Sequence, residues 1–435
     1  MSYESPEAIA KRMKRHRGSH EDFLGQHRQS VRLALKAGPL EIKHLVADLL
    51  PRISDFRMLR CAWEHQVKFG GLAPGIDGET YKDYKPPNEK ALWAELSNLS
   101  DALKTLQYEP RPLREVKIPK SSGKGYRTLR LPSIWDRVVQ RAILAAIQPI
   151  VDPKFDRRSY GWRPGRSTRH AFDEARYLIF TKKRQVWVTE DIRDCYEHIP
   201  RKRLLDALRR QLPNDDLVTL IQSVIGMDKK RGLPQGGPLM PFLVNVYLDH
   251  FLDRVWRKRF PKIPLLRFGD DIALLCLSEV EARQAQAELR AILLSAGLML
   301  KGPPELAVRN LGAGDAAAWL GFLVQCHAKQ LRLGIAEQGW GRLREKLENA
   351  IVEGDSADRV CNIIEGWITY AVDCGVHVDI AEAADIVIDT LYEVGLERLA
   401  HRNAIRGLWR REYDRWDEVR AAAEKQALVY SLADA

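Results

Sequence analysis

No two of the six cysteines (Cys61, Cys195, Cys276, Cys326, Cys361 and Cys374) lie two residues apart, so neither a zinc-finger site nor a disulfide framework is indicated. A reducing compartment, the cytoplasm, is expected. Long apolar runs are missing as well: the one extended uncharged stretch, Gly232 to Leu248, is broken by Gly237, Pro238 and Pro241 and cannot be a membrane helix. The N-terminus, MSYESPEAIAKRMKRHRGSH, turns basic without an apolar core, which excludes a secretory signal. Acidic residues are too few to balance the basic ones. With 58 Asp+Glu against 69 Lys+Arg the net charge is +11, which points to a polyanionic partner, nucleic acid before membrane. Hydrophobic residues at 45% and charged residues at 29% exclude a largely disordered chain. At about 150 residues per domain, 435 residues make roughly three units, and no internal repeat or low-complexity tract is visible.

Helical, basic sequence runs from Met1 to about Arg52, with Lys11, Arg12, Lys14, Arg15 and Arg17 bunched either as a nucleic-acid arm or as a solvated helix face. Ala73 to Asn88 is loop, and a helix is expected near residues 91–106. REVKIP and YRTLRLP flank an SSGKG turn, which predicts a hairpin with a basic tip. Helices follow at 134–150 and 171–180, then a strand at 185–190 and one helix over 204–225. PLLRFGDDIALLCL, from Pro264 to Leu277, has two apolar arms around Gly-Asp-Asp, a hairpin whose turn presents carboxylates. A helix at 279–296, strands at 318–324 and 330–333, and nearly continuous helix after Glu337 complete the pattern.

Chemistry concentrates at Asp191, which ends an apolar strand, and Asp270 in the hairpin turn. A Gly-Asp turn alone can be ordinary turn chemistry. Two strand ends brought side by side would instead hold two carboxylates over one point. That suits a pair of Mg2+ ions in a phosphoryl displacement, with Asp271 as an auxiliary ligand.

The context of these residues favours the second reading. VWVTEDIRDCYEHI, RGLPQGGPLMPFLVN, LLRFGDDIALL and AWLGFLV follow one another as motifs A, B, C and E do in reverse transcriptases. Together with GIDGETYKDY, IPKSSGKGYRTLRLPSIWDRVVQ, SYGWRPGRSTRHAF and IIEGWITY, the chain resembles the bacterial group II intron type from about residue 70 onward. The resemblance implies an α/β (α+β) right-hand polymerase. Its parts would be a basic helical extension (1–50), fingers (51–185), a palm with an antiparallel sheet (186–330) and a helical thumb (331–435). It also implies a metal site of Asp191, Ile192, Asp270 and Asp271 taking two Mg2+ ions, with Mn2+ as a substitute. Lys120, Arg127, Tyr196, Gln235 and Gly236 would form the dNTP pocket. In it Lys120 and Arg127 would grip the triphosphate, and Tyr196 would be the steric gate against a ribose 2′-hydroxyl. Ser159 to Pro164 resembles SYGFRP, near the template, with Trp162 for Phe; Leu320 to Phe322 resembles the primer-grip turn.

The sequence departs from the family's pattern in places. Tyr-Ala-Asp-Asp is replaced by Phe268-Gly269-Asp270-Asp271, Met240 stands where Ser is common, and Asp194 adds a carboxylate. Lys301 is the one candidate in motif D for assisting pyrophosphate departure. No cysteine-paired endonuclease segment and no RNase H segment is recognisable. The resemblance therefore leans toward free-standing polymerases of bacterial antiphage defence, copying a structured noncoding RNA into cDNA from dNTPs, off the membrane and with oligomers allowed. Two alternatives stand beside it: a group II intron-type maturase serving splicing or retromobility, and an RNA-dependent RNA polymerase, whose motif C is also GDD.

Overall fold

The computed structural model describes residues 20–85, 88–119, 126–226, 230–327, 330–352 and 356–433. The expected hairpin is present, with β1 (Arg114–Pro119) antiparallel to β2 (Tyr126–Leu131). Its basic tip, including Lys120, lies outside the described residues, as do Lys11, Arg12, Lys14, Arg15 and Arg17.

A second sheet is built from β3 (Val186–Asp191), β4 (Leu265–Phe268), β5 (Asp271–Cys276) and β6 (Val308–Asn310), in the order β4-β5-β3-β6 with every pairing antiparallel. Its inner strands are covered on both faces, which is why they read as nearly continuous apolar sequence. Because successive side chains alternate, the two faces feed different cores. Val186, Val188, Ile272, Leu274 and Cys276 join one core with helices Ile134–Val151, Met240–Leu248 and Glu279–Ser295. Trp187, Ala273 and Leu275 join the other, which runs through helix Thr168–Phe180 and the C-terminal helices. The sheet is thus a wall between a helical body and a thumb-side body.

The third sheet, β7 (Ala317–Trp319), β8 (Phe322–His327) and β9 (Gln330–Ile335), is an antiparallel meander. The single strand expected over 318–324 is cut by Leu320 (φ 56°) and Gly321 (φ 86°), two successive left-handed residues that make the tight turn matching strand twist. The expected helix 204–225 is likewise two helices, Arg201–Gln211 and Asp215–Ile225. Pro213 interrupts the first, and Asn214 caps the second by accepting from the Leu217 amide.

Residues 20–50 are built into the helical body rather than appended to it. Helix His20–Ala37 contributes buried Val31 and Ala34, and the buried His27 Nε2 lies 2.9 Å from the Ala146 carbonyl. The boundaries expected at 50/51 and 330/331 fall inside helix Leu49–Ile53 and at the first step of β9. On the thumb side, helix Ala357–Asp373 packs Trp367 against Trp340 and Trp409, and Tyr370 shares a 2.9 Å hydroxyl hydrogen bond with Thr168. Among the described residues no helix is long and apolar enough to cross a membrane.

Candidate active site

The carboxylates meet because of register. Asp191 ends β3, Asp271 begins β5, and the two are direct cross-strand partners. Asp270 occupies the turn between β4 and β5, which Gly269 makes possible at φ 68°, and its carbonyl accepts from the Ile192 amide at 3.2 Å. Like charges crowd this strand end. Burial, then the charges of Asp270 and Asp191, push the Asp271 carboxyl up to about 7. Burial also raises Asp191, against the pull of Lys301. The Lys301 ammonium stands 3.7 Å from the Asp191 carboxylate, held there by backbone bonds from Lys301 to Asp191 and from Arg193 to Met299.

The donor set tests the fit of a divalent cation. Among the described residues no three His, Cys, Asp or Glu are gathered into a cage. Mg2+ rarely uses such cages; it takes one or two carboxylates and fills the remainder with water and substrate phosphate. A mutually repelling carboxylate group at an open strand end fits that chemistry. The side chain of Ile192 is a buried hydrocarbon with no donor atom, so only its backbone carbonyl could serve a metal.

Tyr196 lies in the short helix Cys195–His198, after Asp194 in a left-handed conformation (φ 42°). Its half-buried ring meets Trp162 edge-on, with centroids 5.8 Å apart. Gln235 is half-buried, and its carbonyl accepts from the Arg130 amide at 2.7 Å, which joins the PQG turn to β2. For Gly236, expected to let backbone approach the nucleotide, a nearer cause is present in the chain itself: φ is 133°, and a Cβ would lie 2.8 Å from the Arg130 carbonyl oxygen. Arg127 sits on β2 opposite Ile118; its side chain, like all of Lys120, is outside the described residues.

Sequence reasoning missed the support beneath the turn. Arg267 of β4 is fully buried and donates to both Asp253 carboxylate oxygens, to Asn245 Oδ1, to the Gly269 carbonyl and to Ser159 Oγ. Asn245 in turn donates to the Gly161 carbonyl at 2.8 Å. One guanidinium therefore binds the Gly-Asp-Asp turn, the SYGWRP segment and the 240–259 helical region together. The available signals were an arginine in an otherwise apolar strand and an asparagine in an uncharged apolar helix, both costly to bury without partners. Arg342 was missed too, and carried no sequence signal. It bonds the Leu320 carbonyl at 3.0 Å, and its charge opposes the rise in the Asp191 and Asp271 carboxyls. A cavity of about 370 Å³ lined by Lys154, Arg157, Asp253 and Trp256 holds none of the three carboxylates.

Comparison with known proteins finds sequence similarity over the part of the chain that holds these residues. The family described as "Reverse transcriptase (RNA-dependent DNA polymerase)" matches residues 118–302, a span that holds the carboxylates, Tyr196 and the PQG turn. "Protein YkfC" of Escherichia coli (strain K12) is 35% identical over 203 residues, covering 44% of this chain and 52% of that protein. "Group II intron-encoded protein LtrA" of Lactococcus lactis subsp. cremoris is 30% identical over 173 residues, 37% of this chain and 28% of that protein. The matches thus span about half of the first relative and less of the second. A solved structure, "Partial Cas6-RT-Cas1--Cas2 complex", is 25% identical with a TM-score of 0.34, covering 57% of this chain and 41% of that one.

Proposed function

From a chain that belongs to the reverse transcriptase family through residues 118–302, we infer RNA-templated synthesis of DNA from dNTPs. The observation that carries this reading is the register pairing of Asp191 with Asp271 beside Asp270 in the turn. These carboxylates, with the Ile192 backbone, would hold Mg2+, for which Mn2+ could substitute. When bound, the metal supplies Lewis-acid charge for nucleotidyl transfer. The protein's own groups do the rest. Lys120 and Arg127 neutralise the triphosphate. Gln235 and Gly236 line the nascent pair, and Tyr196 excludes the ribose 2′-hydroxyl. Lys301, beside Asp191, is the cation available to the departing pyrophosphate. Fingers, palm and thumb would lie within about 51–185, 186–330 and 331–435, with their edges shifted to the ends of the elements that cross those bounds, and the basic stretch from Lys11 to Arg17 would help to hold RNA.

The finer reading is a cytoplasmic enzyme copying a dedicated, structured noncoding RNA in antiphage defence. It rests on the resemblance to bacterial reverse transcriptases and on the +11 charge. Similarity to a protein named as intron-encoded supports the second reading, a splicing or retromobility factor.

Asp270→Asn keeps size and removes charge. It is expected to abolish dNTP incorporation on a primed RNA, a loss on the order of a thousandfold or more, with a circular-dichroism melt like wild type. Undiminished synthesis would overturn the enzyme reading. Phage plaque counts with wild type and with Asp270→Asn, each expressed with flanking DNA, separate the biological readings. Defence requires protection by wild type alone, and equal counts would overturn that role or its dependence on polymerisation.

A further inference from the structure

Two departures from the family's pattern, Trp162 in place of Phe and Gly269 in place of Ala, meet in space. A Cβ placed on Gly269 would lie 2.6 Å from Trp162 Cη2, with the next two ring atoms at 2.9 and 3.0 Å. No real Cβ tolerates such contacts, so an alanine at 269 and this indole cannot coexist without movement of the ring. The backbone that carries the ring is held: Trp162 is in a left-handed conformation (φ 58°), Asn245 ties down the Gly161 carbonyl before it, and Gly161 is pressed on the Phe268–Gly269 backbone. The indole can therefore yield only by turning about its own side-chain bonds, which would disturb its edge-on contact with Tyr196 at 5.8 Å.

We propose that Trp162 and Gly269 are a matched pair that sets the position of Tyr196, which makes Trp162 a specificity-determining residue for the nucleotide sugar. Gly269 opens the space that the larger ring fills, and the ring braces the gate from behind. Trp162 remains 38% exposed, so part of the ring is accessible from outside the chain. The proposal rests on the polymerase reading for its sugar selectivity and on geometry alone for the pairing.

The test is a double-substitution cycle of Gly269→Ala and Trp162→Phe, with Trp162→Ala alongside. Backbone strain of alanine at a positive φ is common to both tryptophan and phenylalanine backgrounds, so it cancels in the cycle and leaves the steric effect. Selectivity is read as the ratio of kcat/KM for a dNTP and its matching rNTP on a primed RNA. Gly269→Ala should change that ratio by roughly two- to tenfold, the range an edge-to-face aromatic pair carries. Trp162→Phe in the same background should return most of it. Trp162→Ala should favour rNTPs by a similar factor, with the change concentrated in KM. Two effects that simply multiply, or a fall in kcat with selectivity unmoved, would overturn the proposal.

The four proteins of the cycle unfolded in urea supply a readout independent of catalysis. Gly269→Ala should lower the midpoint more when Trp162 is intact than when it is combined with Trp162→Phe, and equal shifts would refute the pairing outright. A wild type that incorporates no nucleotide would defeat the polymerase reading while this second cycle still judges the pair.

Discussion

At the scale of single residues, Asp271 makes the site responsive to pH. Its carboxyl is pushed up to about 7 in the folded chain, whereas an unfolded aspartate titrates near about 4. The native state therefore holds this proton more tightly than the unfolded state does. Its contribution to the stability of the metal-free protein is fully present below about pH 4 and is lost as the pH rises through about 7. A bound cation reverses the preference, because the ligand must be ionised. Added Mg2+ should thus raise the melting temperature more at pH 8 than at pH 6, and Asp271→Asn should flatten that difference; an equal Mg2+ shift at both pH values in wild type would contradict the assignment. Tyr196→Ala should raise the use of rNTPs relative to dNTPs, because the proposed exclusion needs the ring. An unchanged ratio in competitive incorporation would move the gate elsewhere.

At the scale of elements, the Gly-Asp-Asp turn closes a short hairpin whose geometry depends on what lies behind β4. Helix Met240–Leu248 passes into a π-helical turn at Asp249–Asp253 before continuing as Arg254–Arg259. The wider turn shifts the helical phase at the point where Asp253 faces Arg267. Burial pushes the Asp253 carboxyl up while Arg267 pulls it down. Arg267→Met leaves that carboxylate buried and unpaired, which should cost about 3–5 kcal/mol of stability. Adding Asp253→Leu should recover part of the loss. Urea unfolding of the single and double variants checks this, and an additive result would mean that the pair is not coupled. The two-residue turn between β7 and β8 works in the same way: Leu320 and Gly321 place a carbonyl where Arg342 can bond it.

At the scale of the whole molecule, one sheet serves two cores, so the strand ends that carry the carboxylates are held from both sides. The net charge of +11 predicts binding to RNA that weakens with salt. Neutralising Lys11, Arg12, Lys14, Arg15 and Arg17 should flatten the log-log salt dependence by about 0.7 for each single-strand phosphate that the variant no longer neutralises; equal slopes in filter binding would make the cluster a solvated face. Much of this protein could be read without coordinates. Apolar periodicity located many of the strands and helices, although it ran Arg201–Gln211 and Asp215–Ile225 together and missed β6. The carboxylates were legible because a strand that ends in Asp, and a Gly-Asp-Asp turn between apolar arms, are local patterns. What tertiary structure alone decided involves partners far apart in the chain. Pairing Asp191 with Asp271 depends on strand register, and residues 20–50 join the helical body through interactions such as that of His27 with Ala146. Gly236 carries a constraint from the Arg130 carbonyl that its own segment does not display. Arg267 gains its meaning from Ser159, Asn245 and Asp253. A sequence displays the propensity and polarity of each residue, but burial and hydrogen-bond satisfaction belong to neighbours that only the folded chain brings together.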